Sequence, residues 1–166
     1  MTSTAAIADL SPRPTYPDEA RAAQLRAANI NPRTGLATDY LNHFNEAIML
    51  LEMIPDMPEC ASDFLEWRPL SYAEHFTASG FKARDLAIEA YQMADGEIRA
   101  EFDQLTASMT RILLEVGAAM RQLQQDTSRV ALAEQAIVWV KPLVMLTAGV
   151  INGAAEADVD SIMASA

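Results

Sequence analysis

Three polar side chains with metal-binding chemistry lie close together in one predicted helix. Asp39, His43 and Glu46 are separated by four and three residues, which places them on one side of a helix. Carboxylates and imidazoles are ligands for divalent metals. The alternative is structural, because Asp39 and Glu46 occupy the heptad position opposite the apolar residues of the same helix. In that case their carboxylates point to water.

A complete metal site needs more ligands than this helix supplies. Carboxylate-bridged di-iron bundles use Glu-x-x-His pairs on two helices, and the chain contains no such pair. With only two histidines, His43 and His75, a four-ligand site would consist mostly of carboxylates and would favour hard cations. A metal-dependent or metal-carrying helical protein that uses Asp39, His43 and Glu46 is our second hypothesis.

The other reactive side chains have simpler interpretations. Cys60 is the single cysteine, and we interpret it as a small apolar residue because no signature supplies a base or an oxyanion hole. His75 is expected near the C-terminal end of a short helix, where its side chain interacts favourably with the helix dipole. The alternative is a pH-sensing role. The phosphate-cradling glycine loops, the nucleophile elbow and the zinc motifs do not occur. The sequence therefore indicates no catalytic residue and no cofactor, and it favours a non-enzymatic protein.

The elements that position these residues are predicted to be helices throughout. No alternating, β-branched stretch is present, and apolar residues recur at intervals of three and four. The longest series predict two antiparallel C-terminal helices, at about 97–125 and 128–151. The first series is Ile98, Phe102, Leu105, Met109, Ile112, Val116, Ala119 and Leu123. The second is Val130, Ala133, Ile137, Val140, Val144, Thr147 and Ile151, with Pro142 on the outer side, where we expect a kink near Val138 and not a break.

The shorter elements complete an all-α, single-domain bundle of about six helices at 18–166. A flexible arm that contains three prolines precedes it at 1–17. Ser71 and Glu74 form a capping-box pattern, and Gly80 followed by Phe81 fits a Schellman ending with a Phe76–Phe81 contact. A short terminal helix is expected around residues 158–163.

Charge and hydropathy limit the partners. The chain has 12 basic and 23 acidic residues, a net charge of −11, so nucleic acid is not expected as a partner. Its longest apolar run, 135–151, contains Lys141 and Pro142 and is shorter than the roughly 20 residues of a membrane span, so no transmembrane segment is predicted. The N-terminus lacks the pattern of a secretory signal, and we expect a cytoplasmic protein.

Apolar residues outside the main series of the two long helices carry the leading functional hypothesis. They are Leu113, Leu114, Met120, Leu132, Val138, Trp139, Met145 and Leu146. Burial under the earlier helices and an interface are both open explanations. The leading hypothesis is a protein that acts through protein–protein contact, as a homodimer or an adaptor. A third hypothesis is an apolar small-molecule binder, because nine methionines could line an adaptable pocket in the bundle.

Overall fold

A computed structural model of the chain describes residues 16–153, and every regular element in that range is a helix. The α-helices are α1 (Tyr16–Ala27), α2 (Leu41–Met53), α3 (Ala61–Glu66), α4 (Tyr72–Ala78), α5 (Arg84–Met93), α6 (Gly96–Gln122) and α7 (Asp126–Asn152). Short 3₁₀ turns, Thr38–Tyr40 and Pro58–Cys60, precede α2 and α3. The all-α prediction is confirmed. Most of the predicted N-terminal arm and all of the predicted terminal helix lie outside the described residues.

The ends of α4 follow the sequence signals closely. The Ser71 side chain accepts a hydrogen bond from the Glu74 N–H at 3.1 Å, and the Glu74 carboxylate accepts one from the Ser71 N–H at 2.8 Å. At the other end Gly80 has a φ of 69°, and the Phe76 and Phe81 rings lie 5.0 Å apart. The capping box and the Schellman contact are both confirmed.

The two long helices dominate the C-terminal half, as predicted. The Asp95 carboxylate caps α6 by accepting hydrogen bonds from the N–H groups of Glu97 and Ile98. An extended residue, Leu123, ends α6, and α7 begins three residues later and packs back along α6. α7 continues without a break through Pro142, which is exposed, so its ring does not disturb the core.

The core face of α6 is rotated from the predicted one. Phe102, Met109 and Val116 belong to both the predicted and the observed series. Between them, the buried positions are Thr106 and Leu113, instead of the half-buried Leu105 and Ile112. Periodicity alone does not fix this angle, because α6 is apolar over a wide arc and its neighbours decide which part is buried.

Helix α2 packs against α7, and α3 packs against α6. A loop at 31–36 fastens the start of α2 to the end of α7, because the Thr34 hydroxyl donates a hydrogen bond to the Ile151 carbonyl at 2.5 Å. The loop also lies against α5: a Cβ built on Gly35 would be 2.8 Å from the Ala90 carbonyl oxygen. These contacts hold α7 with one face on the core and the opposite face outward.

Candidate functional site

The eight apolar residues nominated as an interface divide into three groups. Leu113 and Met120 are buried in the core of the single chain, so they are not available to a partner. Leu132 is half-buried. The remaining five are exposed large apolar residues: Leu114, Val138, Trp139, Met145 and Leu146.

Four of these five side chains belong to the outer face of α7. Val138, Trp139, Met145 and Leu146 are 64 %, 46 %, 75 % and 56 % exposed. Val138 and Met145 lie opposite the core residues of the same helix, which include Ala133, Val140 and Thr147, and Trp139 and Leu146 lie next to them on the side of α6. α7 is therefore apolar on two opposite sides, and within the described residues the chain covers only one of them.

The centre of this face is an uncharged series that we call the outer stripe. It consists of Ala131, Gln135, Val138, Pro142, Met145 and Gly149. Successive members are four or three residues apart, so the stripe runs straight along α7 for about 27 Å. All of its members are exposed except Gly149, which is half-exposed.

The two edges of the outer stripe differ in chemistry. Leu132, Trp139 and Leu146 form the apolar edge, on the side of α6. Leu132 and Trp139 border a cleft of about 300 Å³, whose α6 side is lined by Ile112, Glu115, Val116 and Ala119. Glu134 and Lys141 form the charged edge, on the side of α2. There the Lys141 ammonium lies 3.2 Å from the Glu52 carboxylate. One edge of the outer stripe therefore consists of hydrophobic residues of α7, and the other edge carries an ion pair.

α7 is also long and apolar enough to be compared with a membrane-spanning helix. By length and composition alone this 27-residue helix could cross a membrane, and only 22 % of its most apolar stretch is buried. Core helices of soluble proteins pass the same test, so one such helix is weak evidence for a span. α7 thus presents more apolar surface than the described residues cover.

The three nominated metal ligands do not form a metal site. Glu46 is exposed, whereas His43 is buried and Asp39 is half-buried. The Asp39 carboxylate lies 2.9 Å from the His75 Nε2 atom, a partner from α4 that the sequence did not indicate. Within residues 16–153 no three His, Cys, Asp or Glu side chains are grouped so that they could hold a metal ion.

His43 has a structural partner instead. Its Nε2 atom accepts a hydrogen bond from the Leu70 N–H at 2.9 Å, and its ring stacks on Trp67 at 4.7 Å between centroids. Burial, and to a smaller extent the nearby His75, lower the pKa of His43 from 6.5 to about 4. A neutral imidazole that accepts a backbone hydrogen bond holds the α3–α4 connection against α2.

A groove beside α6 is the main feature that the sequence analysis missed. Its volume is about 670 Å³, and it lies between α6 and the Pro69–Ser71 segment. Tyr72 and Phe102 contribute to its lining, and the Tyr91 hydroxyl donates a hydrogen bond of 2.6 Å to the Asp103 carboxylate there. Burial and that carboxylate raise the pKa of Tyr91 to about 12. No sequence signal was available, because the walls come from segments far apart in the chain.

The arrangement can therefore do two things chemically. The outer face of α7 can bury apolar surface against a partner, and the groove beside α6 can receive a small apolar molecule with a polar group near Asp103. Comparison with known proteins adds no further guide, because no protein-family model, no curated protein and no solved structure matches this chain.

Proposed function

We propose that this protein acts through protein–protein contact, with the outer face of α7 as its contact surface. The observation that carries the proposal is the row of four exposed large apolar side chains, Val138, Trp139, Met145 and Leu146, on one face of one helix. Contiguous apolar surface beside a polar rim is typical of interfaces.

The free energy available from burying these side chains supports a role for this face as a contact surface. Burying a large apolar side chain completely is worth about 1.5–3 kcal/mol, so four that are about half exposed leave roughly 4 kcal/mol ungained in the isolated chain. None of these side chains belongs to the buried core of the chain. Their presence is readily explained if a partner buries them.

The proposal assigns a role in binding and not in catalysis. Two of the three polar side chains that the sequence singled out make structural contacts: His43 accepts a hydrogen bond from the Leu70 N–H, and the Asp39 carboxylate contacts His75. The net charge of −11 also favours a protein partner over nucleic acid. A homodimer and an adaptor are both contact proteins in this sense, and a cytoplasmic location is part of the same proposal.

Photo-crosslinking in cells that make the protein tests the proposal. A photoreactive phenylalanine analogue replaces Trp139 in one variant and Met93, an exposed residue of α5, in a matched control. We expect light to produce a defined protein adduct from position 139 and none of comparable yield from position 93. Equal adduct yields, or no adduct from position 139, would contradict the proposal.

The groove beside α6 favours a second function, the binding of a small apolar molecule. Its support is the volume of about 670 Å³ together with a mostly apolar lining and the Asp103 carboxylate. Native mass spectrometry of the protein as purified should show a bound small molecule. Ala107→Trp, which fills the groove, should remove it. A wild-type spectrum without any adduct would count against this function.

A further inference from the structure

The outer stripe of α7 has the spacing of a helix-pairing surface. Its residues follow one another at intervals of four, three, four, three and four, from Ala131 to Gly149. This is the heptad pattern by which one helix packs along another at a shallow angle. The occupant that fits such a surface is a second helix of similar length with an uncharged face.

The two unlike edges limit how that second helix can lie. In a pair related by a two-fold axis perpendicular to both helices, the helices are antiparallel and like edges meet. In a parallel pair the axis runs along the helices, so the apolar edge of each meets the charged edge of the other. The parallel arrangement would set Trp139 and Leu146 against Glu134 and Lys141.

We infer that the partner of the outer face is a second copy of this chain, packed with its α7 antiparallel to the first. This inference rests on the proposed function and names the partner of the same surface. The apolar edges, with Leu132, Trp139 and Leu146, adjoin each other on one side of the pair. The charged edges lie together on the other side, at the solvent.

The register follows from using the whole stripe. If Val138 faces Pro142 of the second copy, then Gln135 faces Met145 and Ala131 faces Gly149. The two smallest side chains then meet at each end, which permits close approach of the helices. The two Trp139 side chains lie across the axis and shield each other from water. Antiparallel helices also place opposite ends of their dipoles side by side.

Within the outer stripe no charge opposes this arrangement, and the nearest acidic group on the apolar side is Glu115 of α6, which lines the cleft beside Trp139. The outer stripe carries no ionisable side chain. The two Lys141 side chains come near each other at the axis, but each is already paired with Glu52 of its own chain at 3.2 Å. The net charge of −11 acts at longer range and is screened beyond about 8 Å at physiological ionic strength.

The available area fits a modest dimer. Large side chains expose on the order of 200 Å² when fully accessible, so the exposed parts of Val138, Trp139, Met145 and Leu146 amount to roughly 400 Å². The smaller stripe residues and the α6 side of the cleft at Trp139 add to this. A standard interface buries about 800 Å² on each partner. The four large side chains supply about half of that area, so the dimer must also bury the smaller stripe residues and the α6 side of the cleft.

Disulfide trapping tests both the partner and the direction. Cys60 is the single cysteine, and Cys60→Ala provides a cysteine-free background. In that background Gln135→Cys and Met145→Cys are made separately, since both positions are exposed in the folded chain. The two proteins are mixed under reducing conditions and then oxidised.

The antiparallel dimer places position 135 opposite position 145 and separates equivalent positions by about 15 Å, which is too far for a disulfide. We expect the mixture to form a crosslinked heterodimer, and either variant alone to form at least ten-fold less. Met93→Cys mixed with Met145→Cys is the control, because position 93 lies on α5, and it should not crosslink. A crosslink of Gln135→Cys with itself, equal to that of the mixture, would overturn the antiparallel direction.

Failure of this inference can be distinguished from failure of the proposed function. A chain that sediments as a monomer at every concentration overturns the second copy as partner. If position 139 still yields a crosslinked adduct in cells, and that adduct contains a different protein, the contact function stands and only the identity of the partner changes. If both experiments are negative, the proposed function fails as well.

Discussion

The Nε2 atom of His43 accepts a hydrogen bond from the backbone N–H of Leu70 across 2.9 Å. Only a neutral imidazole has a lone pair for this bond, since a protonated ring carries hydrogen on both nitrogens. The same contact occupies the Nε2 atom of His43, one of the three predicted metal ligands, and gives this residue a structural role.

The stability of the protein should fall as the pH falls below neutrality, because of His43. Its pKa is lowered from 6.5 to about 4 in the folded chain, so the unfolded chain takes up a proton more readily. The contribution of neutral His43 to the free energy of unfolding is therefore complete above about pH 7. It is lost between about pH 6.5 and pH 4, and the total loss is up to about 3 kcal/mol. Urea unfolding at pH 7 and pH 4.5 measures the difference.

His43→Gln is the control for that titration. The glutamine oxygen can accept the Leu70 hydrogen bond and does not titrate. All other ionisable groups, including His75, are shared by both proteins, so the difference between their pH dependences isolates His43. Identical losses of unfolding free energy between pH 7 and pH 4.5 in the two proteins would show that His43 is not responsible.

Neighbouring leucines on α6 test the rotated core face. Leu113 is 1 % exposed and Leu114 is 46 % exposed. We expect Leu113→Ala to lower the free energy of unfolding by about 2–5 kcal/mol, because it leaves a cavity. Leu114→Ala should cost less than about 1 kcal/mol. Equal losses in denaturant unfolding would place the core boundary elsewhere on the helix.

Gly35 and Gly80 have similar backbone angles, so alanine substitutions at both positions distinguish the cost of backbone strain from the cost of a steric clash. Gly35 and Gly80 have φ values of 74° and 69°, but only a Cβ at Gly35 meets a neighbour, the Ala90 carbonyl oxygen at 2.8 Å. Gly80→Ala should cost about 1 kcal/mol from backbone strain alone. Gly35→Ala should cost more, roughly 2–4 kcal/mol, because the loop must also move away from α5. Thermal unfolding of both variants measures the difference, and equal losses would contradict the close packing of this loop.

The fold was accessible from the sequence where local signals act within one helix. The capping box at Ser71, the Schellman ending at Gly80 and the repeated apolar spacing of α6 and α7 depend on residues a few positions apart. The rotation of the α6 core face was not accessible, because it depends on which neighbours cover a broadly apolar helix. The contact between Asp39 and His75 was missed for the same reason: it joins residues from two elements.

The candidate contact surface was predicted in part. An excess of apolar residues on the last two helices identified Val138, Trp139, Met145 and Leu146, which are exposed. The same reasoning included Leu113 and Met120, which are buried in the core. Helical spacing shows how many faces are apolar, and only tertiary packing decides which of them remains outside.

Methionine oxidation in intact cells compares the two most exposed methionines of the described chain within one protein. Met145 in the outer stripe is 75 % exposed and Met93 on α5 is 68 % exposed. Peroxide treatment followed by peptide mass spectrometry gives the oxidation rate of each sulfur. If a partner covers the outer face of α7, Met145 should oxidise several-fold more slowly than Met93. Oxidation of Met145 at the same rate as Met93, or faster, would mean that this face meets only water, and the contact function would be wrong.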